Sequence, residues 1–234
     1  MSGSAAIRRK TRISLLETDP GLGRYAGSAG RERLEQIRVE CVELRPGRLD
    51  LGHPAFADVG LGLVIVSGLL ARRLAIAGGV GMNLYSTSDL IQPQVEVEHQ
   101  RSSAEWLVLA PSQMVVLGEE FRQAVSAVPG FGMALLERAQ TSEARAAAQL
   151  AILNSPRLEA KLCSLIWFLA EHWGDVDGDN ASIRLDLTHQ NLAMLVGAHR
   201  PSVSVALARL DSQGALRRAG SRWTVRRGQA DRAA

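Results

Sequence analysis

Aromatic residues make up only 4% of the 234-residue chain. So few rings exclude an aromatic platform for stacking single-stranded bases, and a carbohydrate cleft as well. Cysteine is scarcer still: Cys41 and Cys163 stand alone and far apart. Neither belongs to a CxxC pair or a Cys/His set, so there is no zinc spacing, and an iron–sulfur cluster lacks its thiolates. Both are expected to be small buried hydrophobes. The histidines at 53, 99, 172, 189 and 199 share no metal-ligand spacing, so neither a metal nor any other cofactor is expected. No apolar run reaches the roughly 18 to 20 residues of a membrane span. The stretch MSGSAAIRRKTRISLL has no signal-peptide apolar core or cleavage site. The chain is therefore expected in the cytoplasm, with no membrane partner. There is no nucleophile–base pair, paired-carboxylate motif or Gly-rich phosphate loop either, so an enzyme is not expected.

What is present begins with 46% hydrophobic residues, ample for real cores, in a chain long enough for two domains. The net charge of +3 is unevenly spread. From Ala181 onward there are nine arginines against three aspartates, so the remainder of the chain is slightly acidic. A basic segment on a mildly acidic body points to a partner that carries phosphates; the bland reading is a solvated basic tail.

Three regions separate along the chain. Residues 1–35 mix Gly, Ser, Arg and Glu around the basic cluster RRKTR, and read as a flexible arm followed by a helix near Arg31–Val39. Between Glu43 and Leu117 lie short apolar runs punctuated by glycine: LGLVIVSGLL, ARRLAIAGG, MNLYSTSDLI, AEWLVLA and QMVVLG. Closely spaced runs with turn signals suggest an antiparallel β-barrel or roll, placed at 36–128. From Phe121 the period becomes helical. Apolar or small residues at 135, 139, 142, 146, 150 and 153 approach the repeat of a coiled-coil seam, ending before Pro156. A dimerisation helix over 129–155 follows, the alternative being a helix that packs only on its own roll. A second helix, RLEAKLCSLIWFLAEHWG, puts Leu158, Leu162, Leu165, Ile166 and Leu169 on one face. Gly174 and the polar DVDGDN then release the chain into a final module, the whole of 156–234 forming the last domain.

Residues 188–210, THQNLAMLVGAHRPSVSVALARL, are the most informative stretch. Asp186 or Thr188 can cap a helix through Gln190, Leu192, Ala193 and Val196, and Gly197 can supply a turn with positive φ. A second helix starts at Arg200, where Pro201 suits the first turn because its missing N–H would have no helical partner. Leu192, Val196, Ala198, Val203 and Ala206 fill the apolar places of a helix-turn-helix, and Ala193 is small where the helices approach. Arg200, Ser202, Ser204 and Arg209 remain on outer or flanking surfaces, with chemistry that reaches guanine edges and phosphates. Helical hairpins with a glycine turn also occur as simple packing units. Beyond Gly214, ALRR, a turn at Ala219–Ser221 and WTV read as a wing, with Arg217, Arg218 and Arg222 beside a DNA backbone.

LTHQNLAMLVGAHRPSVSVALARL followed by GALRR and Trp223 resembles the winged-helix domain of the Crp/Fnr superfamily of bacterial transcription regulators. The resemblance runs from about Glu43 and is most specific over the last 50 residues. It implies an α+β fold: an N-terminal antiparallel, cupin-like β-roll, a long dimerisation helix and a C-terminal winged helix-turn-helix. It also implies that Arg200 meets a guanine, with Thr188, Gln190, His199 and Ser202 near phosphates; His189 is a further candidate DNA contact. Two departures matter. Members that read the best-known operator carry a Glu directly after this Arg and a second Arg four residues on, where this chain has Pro201 and Val205, so the operator should differ. Members that bind cyclic nucleotides carry a Gly-Glu for the ribose and an Arg for the cyclic phosphate. Here Gln92-Pro93 replaces the first, and Arg101-Ser102-Ser103-Ala104 keeps an echo of the second. Proline impairs the cradle of backbone amides, so cyclic AMP is not expected as ligand. Thr141 and Ser142 lie near where members touch adenine, though hydroxyls on a helix face are more often solvated.

The expectation is a homodimeric, sequence-specific regulator on a near-palindromic duplex, with half-sites about 34 Å apart. RNA polymerase and an unidentified small-molecule effector are possible further partners. Of the candidate effector-site residues, Arg101 and Ser102 come from the roll, Thr141 and Ser142 from the long helix. The alternative is a small-molecule-binding or protein-interaction module that keeps the fold without regulating through DNA.

Overall fold

The computed structural model describes residues 4–93 and 102–227. It has an α+β architecture: an antiparallel sheet, a long helix and a C-terminal helix-turn-helix domain. The chain divides into two compact units, the second taking Gly79–Met82 together with everything from Arg145 onward.

The first unit opens with β1 (Ile7–Ser14), α1 (Leu15–Thr18) and α2 (Gly27–Gln36), followed by β2 (Arg38–Leu44) and β3 (Gly47–Leu49). Next come β4 (Gly62–Ile76), β5 (Gly79–Tyr85), β6 (Leu90–Ile91), β7 (Ser102–Leu117), α3 (Glu119–Val125) and the long α4 (Phe131–Leu153), of which Gly79–Met82 and the part of α4 from Arg145 belong to the second unit. The strands form one sheet in the order β1-β2-β7-β4-β5, with β3 on β7 and β6 on β4. The apolar runs expected as separate strands are fused: LGLVIVSGLL joins ARRLAI in β4, and AEWLVLA joins QMVVL in β7. Gly68 is the reason in β4. At φ 101° its backbone lies against Pro111 and Ser112, where a side chain would collide, and the register shifts around it. Glycine here marks a bulge within a paired strand, not a turn. Ser112 completes the bulge by accepting from the Leu69 N–H at 3.1 Å.

Period-2 alternation buries both faces of this sheet. Val42, Leu44, Leu63, Ile65, Met114 and Val116 point into the roll with Phe56 and Leu70. Cys41, Val64, Val115 and Leu117 point the other way, onto Leu15, Leu16, Leu22, Leu34, Phe121 and Phe131. Residues 1–35 are therefore not an arm over their described part. The stretch from Ile7 pairs with β2, and its leucines close the outer face of the sheet. The helix expected near Arg31–Val39 ends at Gln36, because Arg38–Leu44 is needed as a strand.

Helix α4 starts with Phe131 and Ala134 buried and Leu135 packed on the same core. Arg138 donates to Asp19 Oδ1 at 2.7 Å and to the Ser88 carbonyl at 3.3 Å, an ion pair in which both side chains are largely buried. Met133 is 54% exposed, Leu136 48% and Leu150 61%. Met133, Gln140 and Ala147 repeat every seven residues, as do Leu136, Glu143 and Leu150, and all six are exposed. The free heptad stripe is thus displaced from the expected one. Leu135, Ser142, Ala146 and Leu153 are partly buried within the chain, and only Ala139 and Leu150 of that series are open.

The second unit is built on α5 (Leu158–Trp173), which buries Leu162, Cys163, Leu165, Ile166 and Leu169. It continues with β8 (Asp175–Asp177), β9 (Asn180–Arg184), α6 (His189–Val196), α7 (Arg200–Ser212), β10 (Leu216–Ala219) and β11 (Arg222–Arg226). The strands form an antiparallel sheet in the order β10-β11-β9-β8, and α5 packs on β9, β11, α6 and α7. DVDGDN is not a release segment. It forms the β8–β9 hairpin, turning at Gly178 with φ 54°, and Gly174 is extended at φ −133°. Both cysteines are free and buried, and burial, with Glu159 nearby, pushes the Cys163 thiol up to about 11. Among the described residues no helix is long and apolar enough to cross a membrane, and no group of His, Cys, Asp and Glu could hold a metal.

Candidate nucleic-acid interface

Thr188 begins the site as the N-cap of α6. Its hydroxyl accepts from the Asn191 N–H at 3.1 Å, and its own N–H donates to Asn191 Oδ1 at 2.9 Å, a reciprocal capping box. Two donors that would be orphaned at the helix start are satisfied. Asp186, the other candidate cap, instead receives Arg218 at 3.2 Å. The helix ends on Gly197 in the left-handed region at φ 62°, with the N–H groups of Gly197 and Ala198 both returning to the Ala193 carbonyl. A side chain at 197 would cost conformational energy and meet Leu153 at 3.3 Å, so this turn needs glycine.

Gln149, 9% exposed near the end of α4, holds α6 from behind. Its amide donates to the Met82 carbonyl at 2.7 Å and, more weakly, to Leu195 at 3.4 Å. One side chain thus joins α4, the start of β5 and the first helix of the pair.

Helix α7 begins after His199, with Pro201 in its first turn and no side-chain cap on its free N–H groups. Val203, Ala206 and Leu210 are buried on one stripe. At about 100° per residue the opposite stripe is Pro201, Val205 and Ala208, all exposed, with Arg200 and Ser202 on its flanks. Val205 is 54% exposed. It is the residue that sequence reasoning noted only as a missing arginine. An exposed valine on a helix whose apolar stripe is already complete was the signal available for it. Among the described residues Gln190, His199, Arg200 and Ser202 are exposed and make no side-chain hydrogen bond or ion pair, which leaves their donors open to a ligand.

The other expected contacts are occupied within the chain. His189 Nδ1 lies 2.8 Å from Ser204 Oγ, and that hydroxyl donates to the Arg200 carbonyl at 3.1 Å. Ser204 has one proton, given to Arg200, so Nδ1 is the donor to its oxygen. This pair locks α6 to α7 and leaves only His189 Nε2 to face outward chemistry. Thr188 spends its hydroxyl on the cap. Arg209 reaches Glu159 on α5 at 3.5 Å with 68% of its side chain exposed, a weak contact that draws it off the reading face. Arg218 pairs with Asp186, donates to the Gly220 carbonyl at 2.8 Å and lies 4.9 Å over Trp223. Among the described residues of the wing, then, Arg217, Arg222 and Arg226 are free cations and Arg218 is a strut. Trp223 anchors the strand beneath it, buried and donating to the Leu185 carbonyl at 3.0 Å.

Of the effector candidates, Arg101 lies outside the described residues, and of Ser102 only the backbone, at the start of β7, is described. Thr141 donates to the Glu137 carbonyl at 2.8 Å along its own helix, and Ser142 is partly buried. Gln92 turns its amide to the Leu61 carbonyl at 3.3 Å. The described residues do not assemble these groups into one site.

A family model described as a Crp-like helix-turn-helix domain matches residues 160–230. Among solved structures, a CooA mutant from Carboxydothermus hydrogenoformans is 14% identical, with 97% of this chain and 98% of that chain covered and a TM-score of 0.61. FixK2 from Bradyrhizobium japonicum is 15% identical over 75% of this chain and 87% of its own, with a TM-score of 0.57. TTHA1359, a transcriptional regulator of the CRP/FNR family from Thermus thermophilus, is 16% identical, covering 82% and 97%, with a TM-score of 0.57. At these identities the likeness is one of fold. No curated protein matches the chain.

Proposed function

From a chain with the Crp/Fnr fold, whose residues 160–230 are a Crp-like helix-turn-helix domain, we propose a homodimeric transcription regulator that places α7 of each protomer in the major groove. The observation that carries this is the outer surface of α7. Arg200 and Ser202 are exposed and unpaired beside an open valine, while Thr188, His189 and Ser204 are committed to holding the two helices in place. Arg200 forks onto a guanine, and Val205 meets a thymine methyl where a second guanine-reading arginine would otherwise stand. Gln190, His199 and Ser202, with Arg217 and Arg222 on the wing, bind the flanking phosphates. The exposed heptad stripe from Met133 to Leu150 joins the protomers.

The effector is not cyclic AMP: Gln92-Pro93 stands in place of the Gly-Glu pair that would hold the ribose, with no carboxylate at either position, and the Gln92 amide donates to the Leu61 carbonyl. Any ligand that favours one arrangement of the dimer shifts the spacing of the two α7 helices, and so DNA affinity, by linkage. Gel shifts on a selected duplex at two salt concentrations test the proposal. Affinity should fall steeply with salt yet stay well above that for a scrambled duplex at each concentration. Equal binding to both duplexes would leave a basic surface without a reading helix.

A further inference from the structure

The sheet of the second unit has one apolar face and one basic face. Ala181, Ile183, Leu216, Trp223 and Val225 are buried on the first. The second carries Arg184 on β9, Arg217 on β10, and Arg222 and Arg226 on β11, all exposed. Strand register arranges them in rows. Arg222 lies directly opposite Arg184, Thr224 lies between Arg217 and Ser182, and Arg226 is opposite Asn180. At about 3.3 Å per residue the first and last rows are roughly 13 Å apart.

Two features of this face call for an anion. Like charges directly opposite on neighbouring strands destabilise a sheet, and Arg184 faces Arg222 while the nearby Asp186 is paired with Arg218 instead. Among the described residues none of the four guanidinium groups has a hydrogen bond, ion pair or ring contact, unlike Arg218 on the neighbouring position. Second, Arg217 and Arg226 border a cavity of about 280 Å³ with Asn180, Gln213, Gly214 and Thr224, a lining that contains no carboxylate. On the far strand β8, Asp175 and Asp177 lie opposite Ser182 and Asn180. The positive track therefore runs across β10, β11 and β9 and stops at β8.

We propose that this outer sheet face is a second phosphate-binding surface, which holds the backbone of the duplex that flanks each half-site. It rests on the DNA-binding reading above. Continuity with that interface selects the occupant: Arg222 and Arg217 belong to the wing, and Arg184 precedes the α6 cap by four residues. A track of four cations spread over roughly 13 Å suits a strand carrying one charge per about 3.4 Å better than it suits a single ion.

The test uses the full chain and a duplex recovered by selection, either trimmed to the two half-sites or extended by about 15 base pairs of unrelated sequence on each side. Arg184→Gln with Arg226→Gln removes the two arginines that lie outside the proposed half-site contacts, four per dimer. On the extended duplex the double variant should have a log–log salt slope shallower by about 3 to 4, so that between about 50 and 200 mM salt the wild type loses roughly a hundredfold more affinity than the variant. On the trimmed duplex the two proteins should bind alike. Should the glutamine variant melt below the wild type, Arg184→Thr with Arg226→Thr keeps β-favouring side chains for the same measurement. The proposal is overturned if the wild type binds both duplexes with the same slope. It is also overturned if the variant weakens both equally, or if inorganic phosphate or an acidic peptide, not flanking DNA, is what the variant fails to bind. Failure of the wild type to bind either duplex above a scrambled control would instead sink the DNA-binding reading beneath it.

Discussion

Arg138 and Asp19 form an ion pair 119 residues apart in sequence, with side chains only 13% and 9% exposed. Arg138→Leu removes one partner and strands the other. Asp19 Oδ2 already lacks a hydrogen bond, so its carboxylate would be left buried with no compensating charge, and the Ser88 carbonyl would lose its 3.3 Å donor. Breaking a buried pair from one side costs about 3–5 kcal/mol. At about 2–4 °C per kcal/mol for a chain of this size, the melting temperature of the first unit should fall by roughly 6–20 °C. The double replacement Asp19→Leu with Arg138→Leu removes both charges together and should recover most of that loss, because a buried pair replaced by apolar groups is often close to neutral. Urea and thermal unfolding of the two singles and the double measure the cycle. Limited proteolysis adds a local readout, since residues 15–36 are held over the sheet beside this pair and should become cleavable in Arg138→Leu alone. If Arg138→Leu costs under about 1 kcal/mol, or the double is as unstable as the single, the N-terminal cover is not fixed in the way described.

Leu150→Asp should give monomers by light scattering and abolish operator binding, since a charge enters the exposed heptad stripe; a protein that stays dimeric would put the seam elsewhere. Arg200→Ala should cost about 1–3 kcal/mol on the selected site and relax preference at one base pair, whereas an equal loss on every sequence would make it a phosphate contact. Val205→Ala should lose about 1 kcal/mol on the thymine it meets and none on the same duplex with uracil there, which lacks the methyl; a wild type indifferent to that exchange contradicts the role given to Val205. Cyclic AMP and cyclic GMP at micromolar concentration should neither bind by calorimetry nor alter DNA affinity, because the missing carboxylate and backbone donor lower affinity by at least about a hundredfold. A requirement for either nucleotide would mean a pocket built from other residues.

The helix-turn-helix was legible because its signals are local. Gly197 must adopt positive φ, Pro201 can stand only near a helix start, and Trp223 opens the return strand just after its turn. What the sequence hid was set by partners far along the chain. Ser204 looks like a phosphate ligand until His189 is found 2.8 Å away, and Arg209 and Arg218 look free until Glu159 and Asp186 are placed beside them. The N-terminal cover was missed because Leu15, Leu16, Leu22 and Leu34 are scattered among polar residues and reveal their common face only against the sheet. The heptad of α4 was displaced for a similar reason. Leu135 and Leu136 are both candidates by spacing, and tertiary packing assigns Leu135 inward and Leu136 outward.

Selection of bound duplexes from a random pool, with the purified full-length protein, tests the central claim most directly. Two α7 helices related by a dimer axis should enrich a near-palindrome whose half-sites are centred about 10 to 10.5 base pairs, one helical turn, apart. Each half-site should hold a guanine for Arg200 and a thymine for Val205. Enrichment of a single unsymmetrical motif, or no enrichment above the starting pool, would contradict the account.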